Sequence, residues 1–372
     1  MKKWLLAASL TLVSGLVFFS CKKSAQDSDQ PVELDRKPML TQYADRYIVP
    51  AYSAMSAKLA VLKTSADAFT SSPEIATLTA LRTAWKDAYL VWQTVDLIEF
   101  GPAEDVSLRM YMNTYPLTVS KVEGNISSGS YDLETFGNKD AQGFPALDYL
   151  LNGLGDNTAV LARYTSDPSA TASKQYLTAV IAKMLEKVNG VKDAWQNYRT
   201  TFTESTGTDV NSSLSRMVNA YVLYYERYLR SGKIGYPVGA MTGVASPEHT
   251  EAFYSPELSK ELALAALKSV IHFYEGKSYD GTQQGEGMKS YLTALATKDD
   301  DGTLMAERIS GALQKASTSL QGLNTTIQEG VTNNRTTVLG IYEDLQGAVA
   351  LLKVDMVSAF GISITYVDND GD

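Results

Sequence analysis

The chain has 372 residues, of which 44% are hydrophobic and 20% are charged, and this length supports one large or two medium hydrophobic cores. Its formal net charge of −9 argues against a nucleic-acid partner, because phosphate backbones are bound by clustered basic residues. A single cysteine, Cys21, excludes a framework of internal disulfides.

The N-terminus has the pattern of a lipoprotein signal peptide. Lys2 and Lys3 precede an apolar run over residues 4–19, and Ser20-Cys21 closes it. Removal of residues 1–20 would leave Cys21 as the first residue and the site of lipidation. Residues 21–40 are mostly polar, so they are expected to form a flexible tether to a membrane.

Two long helices are predicted next, over residues 43–71 and 74–98. The second carries Trp85, Tyr89 and Trp92 on one face, a stripe that is more typical of a core than of a cofactor site. Residues 105–142 are rich in Gly, Ser and Asn and less periodic, with one short helix predicted at 113–121. Long irregular segments in compact domains tend to be functional.

Residues 143–153 begin with Gly143-Phe-Pro145 and continue as Ala-Leu-Asp148-Tyr-Leu-Leu-Asn-Gly153. Proline is tolerated in the first turn of a helix, and a carboxylate near that end is favoured by the helix dipole. Read from its residues alone, the segment is a short buried helix with an acid near its start and a glycine at its end.

The remaining sequence also predicts helices and contains no convincing strand pattern. The predicted helices span 168–202, 210–230, 256–274, 287–296, 304–323 and 337–359. We therefore expect an all-α fold of two halves, each like a four-helix bundle, over residues 41–206 and 207–372. The loops at 99–150 and 231–255 would meet at a central cleft.

Several segments resemble the imelysin-like family. They are Tyr47-Ile-Val-Pro50, Phe100-Gly-Pro-Ala103, Lys233-Ile-Gly-Tyr-Pro-Val-Gly239, Glu251-Ala-Phe-Tyr-Ser255 and the C-terminal residues 364–372. The resemblance implies an exported or lipid-anchored all-helical protein of two bundle-like halves. It also implies membership of a family that is classed as metallopeptidase-like, is linked to bacterial iron uptake and includes periplasmic ligand-binding proteins.

The family motif Gly-x-His-x-x-Glu is altered in this chain. Gly143 matches, Pro145 stands in place of the histidine, and Asp148 replaces the glutamate. Residues three apart share a helix face, so the family's imidazole and carboxylate could hold a metal or form a polarised pair. Proline supplies neither a metal ligand nor a proton carrier. The altered motif therefore favours a protein that is not an enzyme.

The candidate site residues come from the regions that should converge on the cleft. The expected ligand-binding residues are Glu99, Glu104, Asp148, Tyr149, Lys233, Glu251 and Tyr254. A metal set of Asp148, Glu251 and His249 is the alternative, with iron or another divalent cation as the cofactor. His272, the other histidine, is interpreted as a helix-packing residue.

The leading hypothesis is a non-catalytic component of iron uptake that binds a small ligand or a metal. It would be lipid-anchored in the outer membrane or at the cell surface of a Gram-negative bacterium, or in the periplasmic leaflet. Its partners would be the membrane, the ligand and other iron-uptake components. Two alternatives are a metallopeptidase with relocated metal ligands and a structural surface protein.

Overall fold

The computed structural model describes residues 34–367, which are predominantly helical. Within this range there is no β-strand, only isolated bridges between Lys277 and Gln284 and between Lys298 and Leu304. The predicted all-α fold class is therefore confirmed. The signal peptide, Cys21, most of the tether and residues 368–372 lie outside the described residues.

The first part of the chain is built on three long helices. Its α-helices are α1 (Lys37–Gln42), α2 (Val49–Ser71), α3 (Ile75–Val95), α4 (Pro102–Asp105), α5 (Leu108–Met112), α6 (Val119–Ser128), α7 (Gly143–Asn152), α8 (Asn157–Thr165) and α9 (Ala170–Glu204). A π-helical stretch, Tyr43–Ile48, joins α1 to α2, and a 3₁₀ turn, Asp96–Ile98, extends α3.

The second part contains shorter helices and two further π-helical stretches. Its α-helices are α10 (Ser213–Leu223), α11 (Tyr236–Val238), α12 (Pro256–Glu275), α13 (Met288–Ala294), α14 (Met305–Gln321), α15 (Ile327–Asn333), α16 (Arg335–Gln346) and α17 (Val357–Ala359). The π-helical stretches are Tyr224–Gly235 and Leu351–Met356, and Pro247–His249 forms a 3₁₀ turn. None of the helices within residues 34–367 combines the length and apolar character needed to cross a bilayer.

Two boundaries differ from the sequence-based expectation. The tether was expected to reach residue 40, but α1 already begins at Lys37 because Met39 and Leu40 are buried. The helix expected at 113–121 begins only at Val119. Pro116 explains this shift, since proline disfavours helical geometry in the residue before it and removes a backbone donor.

The aromatic stripe of α3 is buried, as its spacing predicted. Trp85, Tyr89 and Trp92 are each at most 3% exposed, and the Tyr89 ring stacks on Phe144 of α7 with centroids 4.3 Å apart. Helix α3 packs against α2 and α7, and also against α12 from the second part. The division of the chain into bundle halves near residue 206 stays a prediction.

Gly143 begins α7 at a position that only glycine suits. Its φ is +73°, and a Cβ added there would lie 2.3 Å from the carbonyl oxygen of Met112. Both the positive φ and the close backbone approach disfavour any other residue. The glycine of the altered motif therefore fixes how closely α7 packs against the end of α5.

We predict that Gly143→Ala lowers the free energy of unfolding by about 2–4 kcal/mol, since it adds backbone strain and a clash. Gly190→Ala in α9 is the matched control. Gly190 is exposed, and no atom lies within 4 Å of an added Cβ, so this change should stabilise the helix by about 0.5–1 kcal/mol. Denaturant unfolding of both variants measures the difference. Equal stability of Gly143→Ala and the unmodified chain would contradict this account.

Candidate functional site

A cavity of about 340 Å³ opens where the end of α3, the loop after α5 and the π-helical stretch Tyr224–Gly235 meet. We call it the Asp96 cavity. Its lining includes Asp96, Asn113, Tyr115, Tyr228, Gly232 and His249. Asp96 and Asn113 are buried, whereas the tyrosines and the histidine are only partly buried.

An acid–base cluster lies at the floor of this cavity. Arg109 contacts the carboxylates of Asp96 and Glu99, and its guanidinium lies 3.7 Å from the ring centroid of Tyr228. Burial raises the pKa of Glu99 to about 7, and the opposing effect of the Arg109 charge is smaller. Burial also raises the pKa of Asp96.

A second buried ion pair lies beside this cluster. Lys233 and Glu251 are each 2% exposed and contact one another directly. Lys233 also donates to the Gln93 side-chain oxygen at 2.8 Å, and Asn113 donates to Glu251 at 2.8 Å. The Tyr89 hydroxyl donates to the other end of Asn113 at 2.7 Å. These hydrogen bonds offset the cost of removing two charges from water.

The π-helical stretch Tyr224–Gly235 positions much of the site. It buries Glu226, Arg230 and Lys233, and it places Tyr228 and Gly232 on the cavity. π-Helical turns are rare and frequently occur at functional sites. Gly232 leaves space here, since an added Cβ would lie 3.3 Å from the Arg227 carbonyl oxygen and 3.4 Å from the Tyr115 hydroxyl.

A second cavity, of about 160 Å³, lies next to the altered motif. We call it the Asp148 cavity. Its lining includes Pro145, Asp148, Thr250 and Tyr254, and Tyr115 lines both cavities. The Thr250 hydroxyl is buried and forms no hydrogen bond with any described residue.

Asp148 is used to hold the loop that follows Thr250. Its carboxylate accepts hydrogen bonds from the backbone N–H of Tyr254 at 2.8 Å, the Ser255 hydroxyl at 2.7 Å and the Asn152 amide at 3.2 Å. Burial nevertheless raises the pKa of Asp148 to about 6. Between Glu251 and these donors, Ala252 has a φ of +56°, which is a strained value for a residue with a side chain.

The structure brings most of the expected ligand-binding residues into this region. Glu99, Lys233 and Glu251 belong to the buried clusters beside the Asp96 cavity, and Tyr254 lines the Asp148 cavity. Tyr149 donates to Glu123 at 2.8 Å, and its ring centroid lies 5.3 Å from that of Tyr254.

Glu104 is placed differently from the expectation. It lies in α4 with its side chain 58% exposed and is paired with Arg216 at 2.7 Å. Neither cavity has Glu104 in its lining. The turn at Gly101, where φ is +56°, precedes α4, and Glu104 occupies the solvent side of this short helix.

The three expected metal ligands do not form a ligand set. Across residues 34–367, no three His, Cys, Asp or Glu side chains are grouped closely enough to hold a metal ion. Both oxygens of Asp148 accept protein hydrogen bonds, and both oxygens of Glu251 contact protein donors. His249 lines the Asp96 cavity instead. The donor set therefore does not fit the metal centre that the family's peptidase class implies.

Several residues of the site were missed from the sequence. Asp96 and Gln93 are polar positions inside the otherwise buried end of α3, and Arg109 and Tyr115 lie in the segment whose irregularity indicated function. The sequence does contain one indication of a buried charge, because Asp96 lies within the apolar run Val95-Asp-Leu-Ile98. A buried acid needs a partner, so this position also predicts a nearby base.

The comparisons with known proteins agree with the architecture. The imelysin family model (peptidase M75) matches residues 48–352. An iron-regulated protein A precursor from Parabacteroides distasonis is 18% identical with a TM-score of 0.68, and the match covers 91% of this chain and 98% of that one. An imelysin-like protein from Psychrobacter arcticum is 18% identical with a TM-score of 0.66, and the match covers 89% and 97%. No curated protein matches the chain.

We predict that Asp148→Ala lowers the free energy of unfolding by about 2–4 kcal/mol, because it leaves three donors without an acceptor. Asp148→Asn should cost less, since the amide oxygen retains part of this bonding. Asp67→Asn is the charge-matched control at an exposed helical position and should change stability by less than about 0.5 kcal/mol. Denaturant unfolding at neutral pH measures all three variants.

The same variants test the pKa of Asp148. A pKa of about 6, above the usual value near 4, means that the native state holds this proton more tightly than the unfolded chain. The part of the stability that comes from the raised pKa of Asp148 is therefore fully present below about pH 4 and is lost as the pH rises through about 6, whereas the hydrogen bonds that the carboxylate accepts remain at neutral pH. Relative to Asp148→Asn, the unmodified chain should lose stability across this window. A constant difference between the two would contradict the assignment.

Proposed function

Because the chain belongs to the imelysin family, we propose that it is a binding protein of the cell envelope rather than a peptidase. It holds a small ligand in the Asp96 cavity and serves iron uptake. The main observation behind this proposal is that the carboxylate of the altered motif is bonded to the protein itself. Asp148 has both oxygens engaged by protein donors, and the cavity that it lines shares Tyr115 with the Asp96 cavity, whose floor is polar.

Peptide hydrolysis on the family's motif would need an imidazole and a free carboxylate. Pro145 supplies no imidazole, and Asp148 is committed to the loop at Tyr254 and Ser255. Relocated ligands at Glu251 and His249 do not restore the set, since Glu251 is held by Lys233 and Asn113. The remaining chemistry of the site is hydrogen bonding and charge, which suits binding.

The Asp96 cavity has the properties of a small-molecule site. Its volume of about 340 Å³ lies at the lower end of the range of ligand pockets, about 300–1,000 Å³. Aromatic walls at Tyr115 and Tyr228 surround a few polar groups, which is the usual composition of such pockets. These features favour a ligand-binding role over a purely structural one.

The link to iron rests on family membership and on the name of one relative. The Parabacteroides distasonis protein is named an iron-regulated protein A precursor. That name also supports export for this chain, in agreement with the signal-peptide pattern of residues 1–20. We propose that iron reaches the protein as cargo of the uptake system, either as an ion or within the ligand, and not as a catalytic cofactor.

We predict that the full chain, extracted with detergent, contains no stoichiometric transition metal and does not cleave an unfolded protein substrate. Metal analysis and a casein hydrolysis assay check this. A strain that lacks the protein should grow poorly under iron limitation, and the unmodified chain should restore growth. Gly232→Val, which narrows the Asp96 cavity beside Tyr115, should restore growth less well, whereas Gly190→Ala should restore it fully. Stoichiometric metal together with casein cleavage would instead establish the metallopeptidase alternative.

We also propose that Cys21 carries a lipid and that the protein is held at the outer membrane or the cell surface. The polar residues after Cys21 would separate the folded domain from the bilayer. Cys21→Ser should move the protein from the membrane fraction to the soluble fraction and abolish labelling by a palmitate analogue. Membrane retention and labelling of Cys21→Ser at unmodified levels would refute lipidation at this residue.

A further inference from the structure

The two charged clusters beside the Asp96 cavity contain three acids and two bases. Asp96, Glu99 and Glu251 are the acids in the two adjacent clusters, and Arg109 and Lys233 are the bases. The pKa values of Asp96 and Glu99 are raised by burial in spite of the neighbouring Arg109. Arg227 also lines the cavity, and its guanidinium donates to the carbonyl oxygen of Val367 at 2.6 Å. Because the pKa values of Asp96 and Glu99 stay raised, an additional positive charge beside these two carboxylates would be favoured.

Asp96 is the acid on the cavity lining that can accept a further hydrogen bond. It is 3% exposed, and its Oδ1 accepts from the Nε of Arg109. No donor among residues 34–367 forms a hydrogen bond to its Oδ2. Glu251, by contrast, has both oxygens engaged by Lys233 and Asn113. A carboxylate oxygen without a protein donor, on the lining of a cavity, is a recognition group for a donor brought by a ligand.

The walls of the cavity match a cationic donor. The Tyr115 and Tyr228 side chains line it, and aromatic faces attract ammonium groups as well as apolar bodies. The Tyr228 ring already lies 3.7 Å from the Arg109 guanidinium, so this ring takes part in cation–π contact within the protein. An anionic group placed next to Asp96 would be repelled by its carboxylate and is disfavoured.

We propose that the Asp96 cavity recognises the primary ammonium group of a ligand that has an aromatic or apolar body. The ammonium group donates to Asp96, and the body packs between Tyr115 and Tyr228. This inference rests on the proposed binding function and narrows it to one ligand class. An inorganic cation fits less well, because hard cations take six or more oxygen ligands and no cluster of acids within the described chain provides them.

Two sources share this ammonium chemistry, namely simple amines and amino acids. Arg227 and His249 also line the cavity and are partly buried. The ring N–H of His249 would donate to the carboxylate of a zwitterion while the ammonium group donates to Asp96, whereas Arg227 already donates to the carbonyl oxygen of Val367 at 2.6 Å. Comparison of an amine with the corresponding amino acid separates the two sources.

The test is a ligand series measured by calorimetry on the full chain in detergent. The probes are tyramine and hexylamine, which carry ammonium on two different bodies, N-acetyltyramine, which lacks the charge, and tyrosine. Tyramine or tyrosine should bind at least about tenfold more tightly than N-acetyltyramine, since a charge-assisted hydrogen bond to a buried carboxylate contributes more than about 1.4 kcal/mol. Tighter binding of tyrosine than of tyramine would identify the amino-acid source.

Variants locate the binding. Asp96→Asn should weaken tyramine binding at least about tenfold, because the amide retains the size but not the charge. Gly232→Val should weaken binding by narrowing the cavity beside Tyr115, and Asp67→Asn should leave it unchanged. Thermal unfolding verifies that each variant is folded. If Asp96→Asn does not fold, the comparison of tyramine with N-acetyltyramine decides the question without it.

Two results would overturn the inference. In the first, tyramine and N-acetyltyramine bind with equal affinity, and Gly232→Val weakens the binding of both. The cavity would then bind ligands without recognising ammonium, and the proposed binding function would stand. If neither the amines nor tyrosine bind at about 10 mM, the cavity does not recognise an ammonium group, because even weak specific binding has a millimolar dissociation constant. The growth assay under iron limitation tests the wider function independently of either result.

Discussion

The buried pair of Lys233 and Glu251 is the interaction on which the site depends. It joins the π-helical stretch to the loop that follows it, while Gln93 and Asn113 tie the pair to α3 and to the end of α5. A buried ion pair is stable only where further hydrogen bonds replace those that its two charged groups made with water. The elements that surround the Asp96 cavity are therefore held in one arrangement by a single polar network.

Asp148 acts on the same loop from its other end. Glu251 is held on one side of Ala252, and Tyr254 and Ser255 are held by Asp148 on the other. The positive φ of Ala252 persists because contacts on both sides determine the path of the chain. The carboxylate of the altered motif thus positions the loop at Tyr254 and Ser255 through hydrogen bonds.

The sequence predicted the helical architecture well, because apolar periodicity and aromatic stripes such as that of α3 decide which faces are buried. It also indicated Lys233 and Glu251 through their resemblance segments. It could not predict which acids pair with which bases, since Glu104 and Glu99 are close in sequence but face solvent and core respectively. That outcome depends on the turn at Gly101 and on the tertiary position of Arg109, which local pattern does not encode.

The proline at position 145, where the family's motif has a histidine, is compatible with the way in which Asp148 is hydrogen-bonded. A buried imidazole needs partners for two ring nitrogens, whereas a proline in the first turn needs none, because its missing N–H would have no helical acceptor there. Pro145 is buried and lines the Asp148 cavity. Without an imidazole to orient, Asp148 is available to accept from Tyr254 and Ser255. Asp96, whose cavity shares Tyr115 with that of Asp148, is the carboxylate at which we propose that the ligand binds.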